Sequence, residues 1–163
     1  MNIRRALRHL ATPGWVVSNA FTHEALAQIE AEIAATERLH GGEIRFAVEG
    51  NLTARELWQG ESARERALEI FAQLGVWDTE ANNGVLIYLL WADHDVEIIA
   101  DRGYNGKVTS DEWAAVCKDM EVRFAAHDPV GAIVRGVRAV GALMARHFPA
   151  TDRNELPDRP VVL

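Results

Sequence analysis

The chain has 163 residues, 48% of them apolar and 25% charged, with 17 Lys and Arg against 24 Asp and Glu for a net charge of -7. Such a chain fits one domain with a full core. The acidic balance argues against a broad nucleic-acid surface, whose affinity comes from phosphate neutralisation. The single cysteine, Cys117, excludes an intrachain disulfide and a thiolate zinc cluster.

Residues 1–15 carry Arg4, Arg5, Arg8 and His9 among Ile3, Leu7 and Leu10, a spacing that suits a short amphipathic helix ended by Pro13-Gly14. A basic amphipathic segment can lie on anionic lipid. The preferred reading is a docking helix or a frayed terminus, and residues 1–20 are read as an N-terminal extension. There is no signal-peptide core at this end. The longest apolar run, Val85 to Ala92, is too short to span a bilayer, so a cytoplasmic protein without a transmembrane segment is expected.

Thr22 is an N-cap for a helix over 23–39, stopped by Gly41-Gly42. Residues 43–49 alternate with period two and predict a strand with Ile44, Phe46 and Val48 on one face. Thr53 with Glu56 and Ser62 with Glu65 are capping boxes, predicting a short helical turn and then a helix over 62–74 ended by Gly75. The cluster Arg64, Glu65, Arg66 and Glu69 reads as a solvated face.

Two strands follow, 84–91 and 96–100, joined so tightly that they must be antiparallel. The first is apolar throughout and predicts a central strand; the second alternates and predicts a position nearer the edge. Thr109 with Glu112 opens a helix over 110–126. Asp128 followed by Pro129 opens the last helix, which ends by Phe148-Pro149. Residues 149–163 read as a flexible tail. The order αβαββαα predicts an α/β fold, a three-layer α/β/α sandwich with a small mixed sheet and helices on both faces.

No Gly-rich phosphate loop, G-x-S-x-G elbow or H-x-x-x-H pair is present. The hairpin folds Asp101 back towards Asn82 and Asn83, with Asp78 on the entering loop. Glu43 joins the same edge if its strand is parallel to 84–91. Carboxylate and amide oxygens of this kind suit Ca²⁺ or Mg²⁺. The same residues also suit a turn and its cap, with Gly84 permitting a positive φ or a close backbone approach. Asp101 and Arg102 are also readable as an internal ion pair.

The stretches Asn82-Asn-Gly-Val-Leu-Ile87 and Val96-Glu-Ile-Ile-Ala-Asp-Arg-Gly103 resemble the TPM domain family, which includes thylakoid-lumen phosphatase-like proteins. Residues 40–49, 64–67 and 76–80 are similar to a cytoplasmic bacterial branch, and the resemblance covers roughly residues 20–148, with 21–148 read as the domain. The resemblance implies an α/β/α sandwich, a divalent-cation site to which Asn82, Asn83, Gly84 and Asp101 carry over by motif match, and acid phosphatase activity in plant relatives; Asp78 joins that set from the reading of the edge above. Two functions are then expected. One is a non-catalytic module, tuned by Ca²⁺ or Mg²⁺, that supports a membrane-associated complex with a LemA-type membrane protein as partner. The other is a metal-dependent hydrolase of phosphate esters, in which Arg102 would neutralise phosphate charge.

Overall fold

The computed structural model describes residues 3–150 and 153–163. Met1, Asn2, Thr151 and Asp152, at the outer edge of the expected terminal helix and within the expected tail, lie outside the described residues. The elements run α1 (Ile3–Leu10), α2 (Trp15–Ala20), α3 (His23–Glu37), β1 (Glu43–Glu49), α4 (Ala54–Gln59), α5 (Ala63–Gln73), β2 (Gly84–Leu90), β3 (Asp95–Ala100), α6 (Ser110–Ala125), α7 (Pro129–Ala145) and β4 (Val161–Val162).

Local chemistry sets most of these boundaries. Thr53, Ser62 and Thr109 each accept from the backbone N–H three residues on, and Glu56, Glu65 and Glu112 reach back to the cap, so all three capping boxes form. Asp128 accepts from the Gly131 N–H at 2.9 Å, with Pro129 at the first helical position. His94, at φ 55°, turns the chain between β2 and β3.

The sheet has the order β3-β2-β1-β4. β1 and β2 are parallel from Glu43 opposite Gly84 to Glu49 opposite Leu90. β2 and β3 are antiparallel from Val85 opposite Ala100 to Leu90 opposite Asp95. Alternation divides the side chains between two cores. Ile44, Phe46, Val48, Val85, Ile87 and Leu89 pack with residues of α3, α6 and α7. Ala47, Leu86, Tyr88 and Leu90 pack with Leu57, Ala67 and Ile70 of α4 and α5. The result is the expected α/β/α sandwich, with β2 central and buried at every position.

β1 is buried at all seven positions. Within residues 1–20, read as an N-terminal extension, Val17 lies in the main core. Two features depart from the sequence reading. The expected loose tail instead runs back across β1. Leu156 is buried there, Val161 pairs with Ala47, and the Leu163 N–H donates to the Val48 carbonyl at 2.9 Å. Arg66 leaves the solvated face and reaches inward, donating to both Glu49 oxygens at 2.8 and 2.9 Å. Glu49 also accepts from the Tyr88 hydroxyl at 2.6 Å. That buried acceptor holds the Arg66 guanidinium well above its usual range, and burial raises the Tyr88 hydroxyl.

Candidate functional site at the sheet edge

The N-terminal ends of β1 and β2 and the C-terminal end of β3 meet at one edge. The Asp101 N–H donates to the Gly84 carbonyl at 2.9 Å, and the Gly103 N–H to the Asn82 carbonyl at 2.8 Å. These bonds bring Asn82, Asn83, Gly84, Asp101 and Arg102 together, as the hairpin argument expects.

Gly84 has a direct steric reason. A Cβ there would stand 2.0 Å from the Val76 carbonyl oxygen, so the close approach, not a positive φ, demands glycine. Asn82 carries the positive φ instead, at 52°.

The oxygens divide into committed and open ones. The Asn82 Oδ1 accepts from the Arg102 Nε at 2.7 Å. Arg102 therefore turns to the amide, and the expected Asp101–Arg102 side-chain ion pair does not form. Asp101 Oδ1 accepts from the Arg102 N–H at 2.7 Å, whereas Asp101 Oδ2 is buried without a hydrogen-bond partner. Asn83 is 2% exposed. Its Nδ2 donates to the Gly41 carbonyl at 2.6 Å, its N–H donates to Thr79 Oγ1 at 3.0 Å, and its Oδ1 is buried without a partner.

The edge thus contains two unsatisfied buried oxygens, one amide and one carboxylate, of the kind that a native structure ordinarily satisfies. Asp78 stands on the exposed turn after α5, with its N–H donating to the Gly75 carbonyl, and its carboxylate bonds none of the other three. Among the described residues, no group of three or more His, Cys, Asp or Glu side chains is arranged to hold a metal. The candidate set rests on mixed amide and carboxylate oxygens.

Glu43 lies opposite Gly84 but turns to the C-terminal segment, where its Oε2 accepts from the Leu156 N–H at 3.0 Å. Burial raises its carboxyl above the usual range. Beside it, Glu37 accepts from the Ile44 N–H at 2.6 Å and reaches Asp158. Burial first, then Glu43 and Asp158, push the Glu37 carboxyl up to about 9 despite the bond from Ile44.

Sequence reasoning missed Tyr104, Thr79, His40 and Glu37. The Tyr104 hydroxyl donates to the Asn83 carbonyl at 3.0 Å, and burial, then Asp101 and Glu43, raise its pKa. His40 is buried, its Nδ1 accepts from the Gly42 N–H at 3.2 Å, and burial lowers its pKa. Only Tyr104, inside the Asp101-Arg-Gly-Tyr104 run, carried a signal in its position. The other three depend on contacts distant along the chain or on loop geometry.

Trp91 and Trp113 pack against the core while Trp77 is exposed, and His94 and His127 lie on the surface. Burial pushes the Cys117 thiol up to about 12, which suits a packing role. No helix among the described residues is long and apolar enough to cross a membrane.

Among solved structures, the chain is similar to the BA42 protein of the psychrophilic bacterium Bizionia argentinensis. The identity is 28% and the TM-score 0.76, over 87% of this chain and 94% of that one. It shares the fold of the N-terminal domain of a P. gingivalis protein, with 16% identity and a TM-score of 0.50 over 77% of this chain and 94% of that one. Comparison with curated proteins finds no match. The TPM domain matches residues 17–143, a span that begins at core residue Val17, takes in the whole edge described above and ends inside α7; the chain belongs to the TPM domain family.

Proposed function

We propose that this TPM-domain protein is a non-catalytic module that binds a divalent cation at the sheet edge and supports a membrane-associated complex. The observation that carries the cation reading is the pair of unpartnered buried oxygens, Asn83 Oδ1 and Asp101 Oδ2. An amide oxygen and a carboxylate are ligands that Ca²⁺ accepts together with water and backbone carbonyls. Asn82 Oδ1 would join them once Arg102, which is exposed, swings out. Asp78 stands on the loop that enters the edge and is the remaining carboxylate of the set.

The titratable groups at the edge favour binding over hydrolysis. Tyr104 is held protonated, and the His40 Nδ1 is committed to Gly42, so neither serves as nucleophile or general base there. The complex is supported by the family resemblance, which points to a LemA-type membrane protein as partner.

Calorimetric titration with Ca²⁺ and Mg²⁺ tests the reading. The native chain should release or absorb heat at a single site, and Asp101→Asn should weaken binding by roughly tenfold or more, the scale of losing a ligand charge. Turnover of p-nitrophenyl phosphate should stay at the buffer rate with either cation. Absence of heat with both cations removes the cation site. Turnover that Asp101→Asn abolishes replaces this reading with the phosphate-ester hydrolase.

A further inference from the structure

We propose that the outward face of α1 is a docking surface for an anionic lipid bilayer. The proposal deepens the membrane-associated part of the function above and stands apart from the cation site.

α1 is mounted with its polarity reversed. A surface helix ordinarily buries its apolar stripe and leaves its charges in water. Here the charged side is the attached side. The Arg5 Nε donates to Asp93 Oδ2 at 2.8 Å, and its guanidinium also donates to the Glu61 carbonyl at 2.6 Å. Arg8 donates to the other Asp93 oxygen. His9 is fully buried; its Nδ1 accepts from the Leu52 N–H at 3.0 Å, and its Nε2 lies 3.1 Å from Asp93.

Arg5 and His9 are four positions apart and share one face. Ile3, Leu7 and Leu10 share another, and they are 68, 61 and 73% exposed. Trp15, which begins α2, is 63% exposed. Four large apolar side chains therefore stand in water next to a helix that charge contacts hold in place.

Charge and area favour lipid as the occupant. Residues Ile3–Leu10 contain three arginines and no carboxylate, in a chain of net charge -7. Arg4, which is exposed, and Arg8, whose side chain stays half-exposed while it bonds Asp93, border the apolar stripe, the pattern of a segment that lies in the headgroup layer of an anionic bilayer. Tryptophan and arginine are both at home at that depth. The four side chains offer roughly 500 Å², well below the ~800 Å² per partner that a stable dimer needs. An isologous dimer through this face would also oppose the arginines of two α1 helices.

The full chain is sedimented with phosphatidylcholine vesicles, with and without phosphatidylglycerol as a quarter of the lipid. Binding to the anionic vesicles alone is expected, with a blue shift in Trp15 emission obtained by difference from Trp15→Phe. The double variant Leu7→Ser/Leu10→Ser should bind on the order of tenfold or more weakly, through lost apolar burial. Its unfolding midpoint should be native, because those side chains face water. Val122→Ser, which removes an exposed valine of α6, should bind as the native chain does.

Failure of the native chain to bind anionic vesicles overturns the proposal, as does equal binding by the double variant. A dimer in solution that the double variant dissolves assigns the face to a second copy instead. Calcium calorimetry on the double variant should match the native chain, so failure at α1 and failure at the sheet edge are separately visible.

Discussion

Glu37→Gln should stabilise the protein at neutral and alkaline pH. Glu37 is a partly buried carboxyl whose pKa rises from 4.5 to about 9, chiefly through burial, with Glu43 and Asp158 adding like charge. The folded chain keeps a proton that the unfolded chain releases between those values. The stabilising contribution of that proton is full below pH 4.5, declines as pH rises, and is gone above about 9. At pH 7 the gap from the ordinary value is about 2.5 pH units, or ~3 kcal/mol at 1.36 kcal/mol each. The residual exposure of the side chain screens this to roughly 1–2 kcal/mol.

Glutamine fixes the uncharged state. Its Oε1 can keep accepting from the Ile44 N–H, and its amide can donate to Asp158. Urea unfolding of both proteins, followed by tryptophan fluorescence, gives the difference at each pH. The variant should match the native chain near pH 4.5, exceed it by roughly 1–2 kcal/mol at pH 7, and gain further by pH 8.5. A difference that is flat with pH, or a variant less stable at pH 8.5, refutes the burial argument.

Other substitutions probe separate parts of the structure by the same unfolding measurement. Gly84→Ala should cost about 2–4 kcal/mol, because its Cβ meets the Val76 backbone, while Gly14→Ala, with nothing within 4 Å, should change stability by less than ~0.5 kcal/mol. Glu49→Gln should cost on the order of 3 kcal/mol by removing the charge that Arg66 and Tyr88 share inside the α5 face. Asp93→Asn should loosen α1 by about 1–3 kcal/mol at pH 7. Burial opposes ionisation of Asp93, but Arg5, Arg8 and His9 prevail and hold its carboxyl below the usual 3.8. The native advantage over Asp93→Asn is therefore present above pH 3.8 and should fade as the solution is acidified through the lower folded value.

The parts of the fold that rest on local chemistry were legible from the residues. The unbroken apolar run of β2 identified the central strand, and each capping box formed where Ser or Thr precedes Glu by three. The short β2–β3 connection, from which Asp101 is expected near Asn82 and Asn83, folds the end of β3 back beside the start of β2, where the Asp101 N–H donates to the Gly84 carbonyl. What stayed hidden depends on groups far apart in sequence. β4 has two residues and no periodicity of its own; it exists because the edge of β1 is there to pair with. The chain that returns to form it also buries Glu37 and Glu43, so their raised carboxyls have no local signature. Arg66 sits in a charged run and reads as solvated until β1 supplies Glu49 beneath it. α1 defeated the rule that apolar faces turn inward, since Asp93, more than eighty residues on, holds its polar face. The candidate site was legible as a place, while the distinction between committed and open oxygens needed the geometry around Asn82 and Asn83.

The binding claim is tested most directly by amide NMR of the full chain during Ca²⁺ and Mg²⁺ titration. The account predicts saturable shifts centred on residues 78–84 and 101–104, including Asn83 and Asp101, and their loss in Asp101→Asn. Shifts centred elsewhere, or an unchanged spectrum at high concentrations of both ions, would contradict it and leave those residues as a turn and its cap.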